Sequence, residues 1–425
     1  MTHPSASSHA VVLGGGLAGL TAALRLRRQG HDVTVVDKST TFGGRARMDN
    51  VDGALLHRGP RALYKAGPAY AALAELGVDI VGRSPPLAGA LGVYGGADDP
   101  FDVEPLPFSP WAMLHARLRP TTLWRFRRAQ QAGLRAQLDD DVCFVDWVED
   151  VTDDELVRQM LRWIGRLTTY AHLRKARANA VLAQMALANK GVLYVDDGWQ
   201  GLVVQLLHRC EEAGVVLRSG QRVHRVDDAS DGFAVDLGDV QLSADAVVVA
   251  MPPSAAASWH PSLATPSLTS ARAACLDVIL QRDKRHPPSA FGLQLPLYAS
   301  VHTRAARLAP AGVDVVHLAA YLDVDDKGVE CRGLLQGLCA QLFPDANVRH
   351  QRFLPEMTVM EGFPVVGGAR PVVQTSTPGL AWATAAAQST RHPHSLLLDA
   401  ALAAAGEAAD HVDAHLRSRH QRQVA

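Results

Sequence analysis

The stretch Ala10-Val11-Val12-Leu13-Gly14-Gly15-Gly16-Leu17-Ala18-Gly19 decides the fold. A short apolar run leads into three glycines, and from Leu17 to Gln29 the apolar residues recur with helical period until Gly30 stops them. A second β-branched run, Asp32 to Val36, follows and ends on Asp37. This reads as strand, helix and strand. Such a unit seeds a parallel sheet, because the crossover helix returns the second strand in the direction of the first.

Within the turn, Gly14, Gly16 and Gly19 have the spacing G-x-G-x-x-G, and each position answers a different demand. Gly14 permits the tight turn, Gly16 lets a diphosphate approach the backbone, and Gly19, with Ala22 and Ala23, lets the helix lie close on the sheet. Leu17 and Ala18 open the helix, whose first N–H groups lack intrahelical partners and carry the positive end of its dipole. Asp37, with Lys38 beside it, ends the second strand, where a carboxylate accepts hydrogen bonds from both ribose hydroxyls and repels a 2′-phosphate. The pattern predicts a dinucleotide site that disfavours NADP.

Bulk properties bound the rest. A chain of 425 residues is long for a single core, so two domains are expected. With 48 % hydrophobic and 20 % charged residues it lies well inside the folded regime. Its net charge of -1 offers no global field for nucleic acid, which is excluded as a partner. Five scattered cysteines, Cys143, Cys210, Cys275, Cys331 and Cys339, form no CxxC pair and no Cys/His cluster. They read as reduced, packed thiols, and no metal site is expected. The polar first nine residues lack the pattern of a signal peptide, and no apolar run is long enough to span a bilayer, so the expected setting is cytoplasmic.

Farther along, Gly201 to Ala213 reads as a helix ended by Gly214, followed by strands at Val215–Arg218, Arg222–Val226, Phe233–Leu237 and Ala246–Ala250. A mostly helical block, Trp111 to Asn189, lies between these segments and the N-terminal unit and looks inserted. Ser270 to His350 carries a strand at Val313–Tyr321 and a helix at Leu334–Leu342, and the last helix covers Leu396–Leu416.

Gly43-Gly44-Arg45 with Arg47 comes soon after Asp37, giving a second glycine turn and two guanidiniums able to reach the diphosphate or far end of a longer cofactor. This favours FAD over NAD. From Val11 to Arg47 the sequence resembles the flavin amine oxidase and phytoene desaturase superfamily. The resemblance continues at Gly59-Pro60, Gly198-Trp199-Gln200, a strand around Arg222-Val223, and Met251-Pro252-Pro253. It implies an extended FAD, with Asp37 on the adenosine ribose, Gly44 and Arg45 near the diphosphate and the Val223 backbone on the adenine side. Gly59 and Pro60 are then close to the isoalloxazine, with Arg61 and Tyr64 as candidates to face substrate. Asp399 matches a position near the flavin.

One departure stands out. Members of the family carry a Gly-Asp pair near the C-terminus, whose carboxylate holds the ribityl chain. Here Thr384-Ala385 replaces it, leaving Thr384 to offer a neutral hydroxyl, and a neutral hydrogen bond is about half as strong as a charge-assisted one. His392 and His394 form an H-x-H pair without a third ligand nearby, which reads as a solvated or cleft-lining loop. Trp111 to Arg128 mixes aromatics with arginines; it is compatible with peripheral membrane contact, but better read as a domain helix with a solvated basic face.

The reading is an α/β protein: a discontinuous three-layer Rossmann-like FAD-binding domain (8–75, 190–265, 350–425) and an interleaved α+β substrate domain (76–189, 266–349). The resemblance implies an FAD-dependent oxidoreductase that abstracts hydride from a largely apolar small molecule, with no acid–base pair evident. Loss of the Gly-Asp carboxylate supports a second reading, a family member that binds nucleotide or substrate without redox turnover. Nothing in the sequence sets the oligomeric state.

Overall fold

The computed structural model describes residues 8–95, 101–106, 119–136 and 138–424. The N-terminal reading sits at the centre of a five-stranded sheet. Its order is Val216–Arg218, Asp32–Val36, His9–Leu13, Ala246–Val249 and Leu380–Trp382, and every pairing is parallel. Val11, Val12 and Leu13 are fully buried because both faces of this sheet are covered. One face carries the helices Leu17–Arg28, Gly198–Glu212 and Leu397–Val424, which pack against one another or the sheet. The other carries an antiparallel meander of Arg225–Ala229, Gly232–Asp236 and Gln241–Ala244. These are the three layers.

A seven-stranded sheet forms the second core, in the order Val348–Glu361, Ser270–Gln281, Val313–Leu322, Leu297–Val301, Ser289–Gly292, Leu91–Tyr94 and Asp102–Pro105. Strand alternation divides Ser270–Gln281 between two environments. Leu276 and Val278 pack with Leu335 and Leu338 of the helix Cys331–Leu342. Cys275 lies instead in an aromatic cluster with Trp163, Tyr170, Phe291, Tyr298 and Tyr321. The helices Pro120–Arg135, Phe144–Val151, Glu155–Thr169 and Ala178–Asn189 make up the helical block.

Three boundaries differ from expectation for physical reasons. The strand Val348–Glu361 pairs along Ser270–Gln281, so the domain change expected at residue 350 falls after Glu361. The helix expected from Gly201 begins at Gly198, whose φ of 62° turns the chain where a Cβ would strike Met48 and His57. The strand expected at Arg222–Val223 starts only at Arg225, because Gly220 and Gln221 donate instead to the carbonyls of Ser39 and Asp37.

Of the basic aromatic stretch, residues 111–118 lie outside the described residues. The helix after it buries Ala129 and Gly133 and packs Leu123 and Phe126 into the aromatic cluster. Trp124, Arg127 and Arg128 face solvent, and the Arg128 guanidinium lies 5.6 Å from the Trp124 ring centroid. No helix among the described residues is long and apolar enough to cross a membrane.

Candidate functional site

The two glycine turns are zipped together. Gly14 N–H donates to Val36 O (2.7 Å), Gly43 N–H donates to Gly15 O (2.7 Å), and Gly16 bridges to Gly43 in parallel. Gly16 is the N-cap of Leu17–Arg28 and offers no side-chain cap, so the helix's first N–H groups open onto a cleft lined by Gly14, Gly16, Leu17 and Ala18. A Cβ on Gly16 would meet nothing closer than Gly43 O at 3.9 Å, whereas one on Gly19 would lie 1.8 Å from Gly14 O. Gly16 therefore leaves room for a ligand, and Gly19 serves close packing.

Asp37 is nearly buried at the end of its strand. Its two carboxylate oxygens accept the N–H groups of Gly15 (2.7 Å) and Ser39 (2.8 Å), so it fixes the turn while keeping lone pairs for a ligand. Lys38 lines the cleft beside it. Val223 does not line the cleft; it is buried in the core, just past the Gln221 bond to Asp37.

Arg45 and Arg61 enter the cleft without an ion pair among the described residues, and the exposed Arg58 lines it too. Arg45 donates to Val359 O (3.1 Å), and the surrounding protein lowers its pKa against the opposing effect of Glu361. Arg61 reaches the carbonyls of Arg58 (3.1 Å) and Arg45 (3.4 Å) and lies 5.1 Å from the Trp199 ring centroid. Burial, then the neighbouring Arg45, lowers its pKa to about 10. Unneutralised cations in a desolvated cleft are a site for an anion. Arg47 also lines the cleft and donates to Ser39 Oγ (2.7 Å) and Thr41 Oγ1 (2.9 Å), so it braces the loop.

The cleft encloses about 480 Å³, a size suited to a small-molecule site. Beyond the glycine turns it is bounded by Pro60, Arg61, Tyr64, Tyr170, Val359, Leu397 and Asp399. Gly59, at φ 77°, brings the chain against Cys275 and Met357 where a side chain would crowd. Tyr64 is buried, and its hydroxyl donates to Thr168 O (2.8 Å), so it is a wall and not a free acid. Burial pushes the pKa of Tyr64, Tyr170 and Tyr321 up, which keeps all three phenols neutral.

Sequence reasoning missed Tyr170. It sits at φ 54° where the helix Glu155–Thr169 ends, a helix started by Asp154, whose carboxylate accepts Leu156 N–H and Val157 N–H. A residue brought to the cleft by a helix terminus leaves no local signal. Thr384 and Ala385 do line the cleft, with Arg370 fastening that turn through the carbonyls of Ala385 (2.8 Å) and Ala386 (3.1 Å). Asp399, which the resemblance puts near the flavin, lines the cleft with its pKa raised to about 7 by burial, opposed by a hydrogen bond from Ala69 N–H (2.9 Å). His392 and His394 line a separate surface groove, and no metal-holding cluster exists among the described residues.

A buried network backs the cleft from behind Gly59. The Asp277 carboxylate bonds His317 Nδ1 (2.6 Å) and Arg352 (2.6 Å), with Asp277 and His317 both fully buried. His57 and His302 lie beside His317, and burial holds both well below the ordinary histidine pKa.

Residues 17–279 match the family model described as flavin containing amine oxidoreductase. A phytoene dehydrogenase of Streptomyces griseus is 29 % identical over 278 residues, which is 57 % of this chain and 54 % of the relative. A carotenoid 3,4-desaturase of Haloarcula japonica is 25 % identical over 262 residues, covering 53 % of this chain and 52 % of the relative. The matched region thus spans about half of each relative. Among solved structures, an oxidoreductase from Methanosarcina mazei superposes with a TM-score of 0.74 at 16 % identity, over 95 % of this chain and 100 % of the other. Cyclohexylamine oxidase from Brevibacterium oxydans gives 0.69 at 14 % identity, over 97 % and 100 %. At these identities the structures share the fold.

Proposed function

Because the chain belongs to the flavin-containing amine oxidoreductase family, we propose that it is an FAD-dependent oxidoreductase acting on a largely apolar small molecule. The observation that carries this is the cradle: an uncapped helix N-terminus, an open Gly16 and the guanidiniums of Arg45 and Arg61 in one cleft. These residues fit a dinucleotide. In this reading Asp37 and Lys38 hold the adenosine end, Val223 packs behind it, and Gly44 and Arg45 take the diphosphate. When held by these residues, FAD would supply the two-electron acceptor for a substrate that loses one hydrogen as hydride and a second as a proton to solvent, with oxygen or another acceptor reoxidising it.

The protein's own contribution is placement and exclusion of water. Pro60, Tyr64 and Tyr170 wall the substrate end, and Tyr170 connects it to the aromatic cluster, with ring centroids 6.0 Å from Tyr321 and 6.5 Å from Tyr298. That cluster is apolar and its phenols are neutral, which favours a substrate without charge at its reacting carbon. Arg61, held over Trp199, keeps a positive charge beside this end of the cleft. The desaturase names among the relatives support oxidation of a carbon chain.

The test is a visible spectrum of the purified protein before and after adding FAD, followed by gel filtration. Flavin absorbance that stays with the protein and bleaches under anaerobic substrate supports the reading. A folded protein that takes up no FAD at millimolar supply refutes it. The second reading, binding without redox turnover, then replaces it; its support is Ala385 where the family carries the acid.

A further inference from the structure

We propose that Asp399 is the carboxylate that holds the ribityl chain of bound FAD, doing from the helix Leu397–Val424 what the missing Gly-Asp acid would have done from the turn at Thr384-Ala385. The inference rests on the FAD reading above. Asp399 lines the same cleft as Thr384 and Ala385, yet its side chain is only 2 % exposed. Its Oδ1 accepts Ala69 N–H at 2.9 Å, at the start of the helix Pro68–Glu75. Gly67 leaves space for the carboxyl, since a Cβ there would lie 2.1 Å from Oδ1. The position is built and held.

The chemistry selects the hydroxyl-bearing chain. A carboxylate repels phosphates, which the guanidiniums of Arg45 and Arg61 already suit, and a hydroxyl chain offers the donors that a carboxylate accepts. FAD has two such stretches, and Asp37 serves the one at its own strand. In the sheet, Asp37 follows Asp32–Val36 on one side of the central strand His9–Leu13. Asp399 opens the helix after Leu380–Trp382, the strand at the opposite edge. The two acids enter the cleft after strands on opposite sides of the central strand, and the second hydroxyl stretch falls to Asp399. Its titratable neighbour is Tyr64, itself kept neutral by burial, and burial likewise raises the pKa of Asp399.

The test titrates apoprotein with FAD, read by flavin fluorescence, across pH 5.5 to 8.5. Asp399→Asn keeps the shape and an acceptor for Ala69 N–H, and weakens binding about tenfold, because a charge-assisted bond becomes a neutral one. Wild-type affinity rises as pH passes through about 7 and the carboxyl ionises, and this rise is absent in Asp399→Asn. Ala385→Asp, which returns an acid to the same cleft, restores affinity in the Asp399→Asn background. Equal affinity of wild type and Asp399→Asn overturns the proposal. So does a tenfold gain from Ala385→Asp in the wild type, which shows a ribityl chain still lacking its acid. If Asp399→Asn does not fold, the wild-type pH profile and Ala385→Asp still decide. A folded wild type that binds no FAD at any pH sinks the FAD reading itself, a result distinct from the others.

Discussion

Gly16 and Gly19 sit three residues apart in one motif, but the structure predicts opposite consequences for adding a side chain. Gly16 has an ordinary φ of −82°, and a Cβ there meets only Gly43 O at 3.9 Å. Replacing glycine where the backbone is compatible stabilises by about 0.4–1 kcal/mol, and placing alanine at an N-cap costs a similar amount, so Gly16→Ala should melt close to wild type. Gly19→Ala puts a methyl 1.8 Å from Gly14 O and 3.1 Å from the Ala250 Cβ. The strand and helix must separate, at about 1–3 kcal/mol or more. Binding shows the reverse pattern. A side chain on Gly16 enters the space through which a diphosphate approaches the helix N-terminus, and Gly16→Val fills it further. Overpacking of about 1–3 kcal/mol there weakens FAD roughly 5- to 150-fold. Thermal melts and FAD titrations on the three variants separate the effects. A folded Gly16→Val protein that binds FAD as tightly as wild type would refute the placement of the diphosphate at this turn.

Asp399 also makes stability depend on pH. Its folded pKa of about 7 exceeds the ordinary carboxyl value of 3.8, so the FAD-free folded state binds the proton more tightly and loses stability as pH rises from 4 to 7. Asp399→Asn should remove that loss and gain on wild type by as much as roughly 4 kcal/mol at pH 8; urea unfolding at pH 4 and pH 8 that shows a constant gap contradicts this. Asp37→Ala should weaken FAD by about 1.5–3 kcal/mol and also lower the melting temperature, since it frees the Gly15 and Ser39 N–H groups; unchanged affinity in a calorimetric titration would show that the acid serves the turn alone. Asp277→Ala should cost about 1–3 kcal/mol in denaturant unfolding, because it leaves buried His317 without its carboxylate partner while Arg352 keeps Asp49; no measurable cost would mean the network relaxes.

The fold was legible where local chemistry and tertiary need agree. The run from Ala10 to Asp37 carries its own turn, helix packing and strand pairing, and each glycine has a reason visible within a few residues. The last helix and Val313–Leu322 were equally plain from their periodicity. Legibility failed where a distant partner sets the outcome. Arg222 and Val223 have strand-like residues, but Asp37 and Ser39 take the hydrogen bonds of the residues just before them. Val348–Glu361 alternates poorly, since it is an edge strand with bulges against Ser270–Gln281, and its assignment to the second sheet depends on that partner alone.

The same distinction explains the site. The glycine-turn end of the cleft comes from one short stretch, residues 14–47, so spacing alone groups Gly14, Gly16, Asp37 and Arg45, and all four line it. The rest of the cleft gathers Pro60, Tyr64, Tyr170, Val359 and Leu397 from distant parts of the chain, and only the folded backbone brings them together. Arg47 shows the limit of motif reasoning, because a guanidinium beside a glycine turn can as well bind its own loop, and here Ser39 and Thr41 hold it. Asp399 shows the converse. Its leucine and alanine context gives no motif, and only the resemblance marks its position; burial at the cleft raises its pKa to about 7. A departure from a familiar motif at Thr384-Ala385 therefore does not by itself mean lost function, since the charge a cofactor needs can enter the same cleft from the helix that follows.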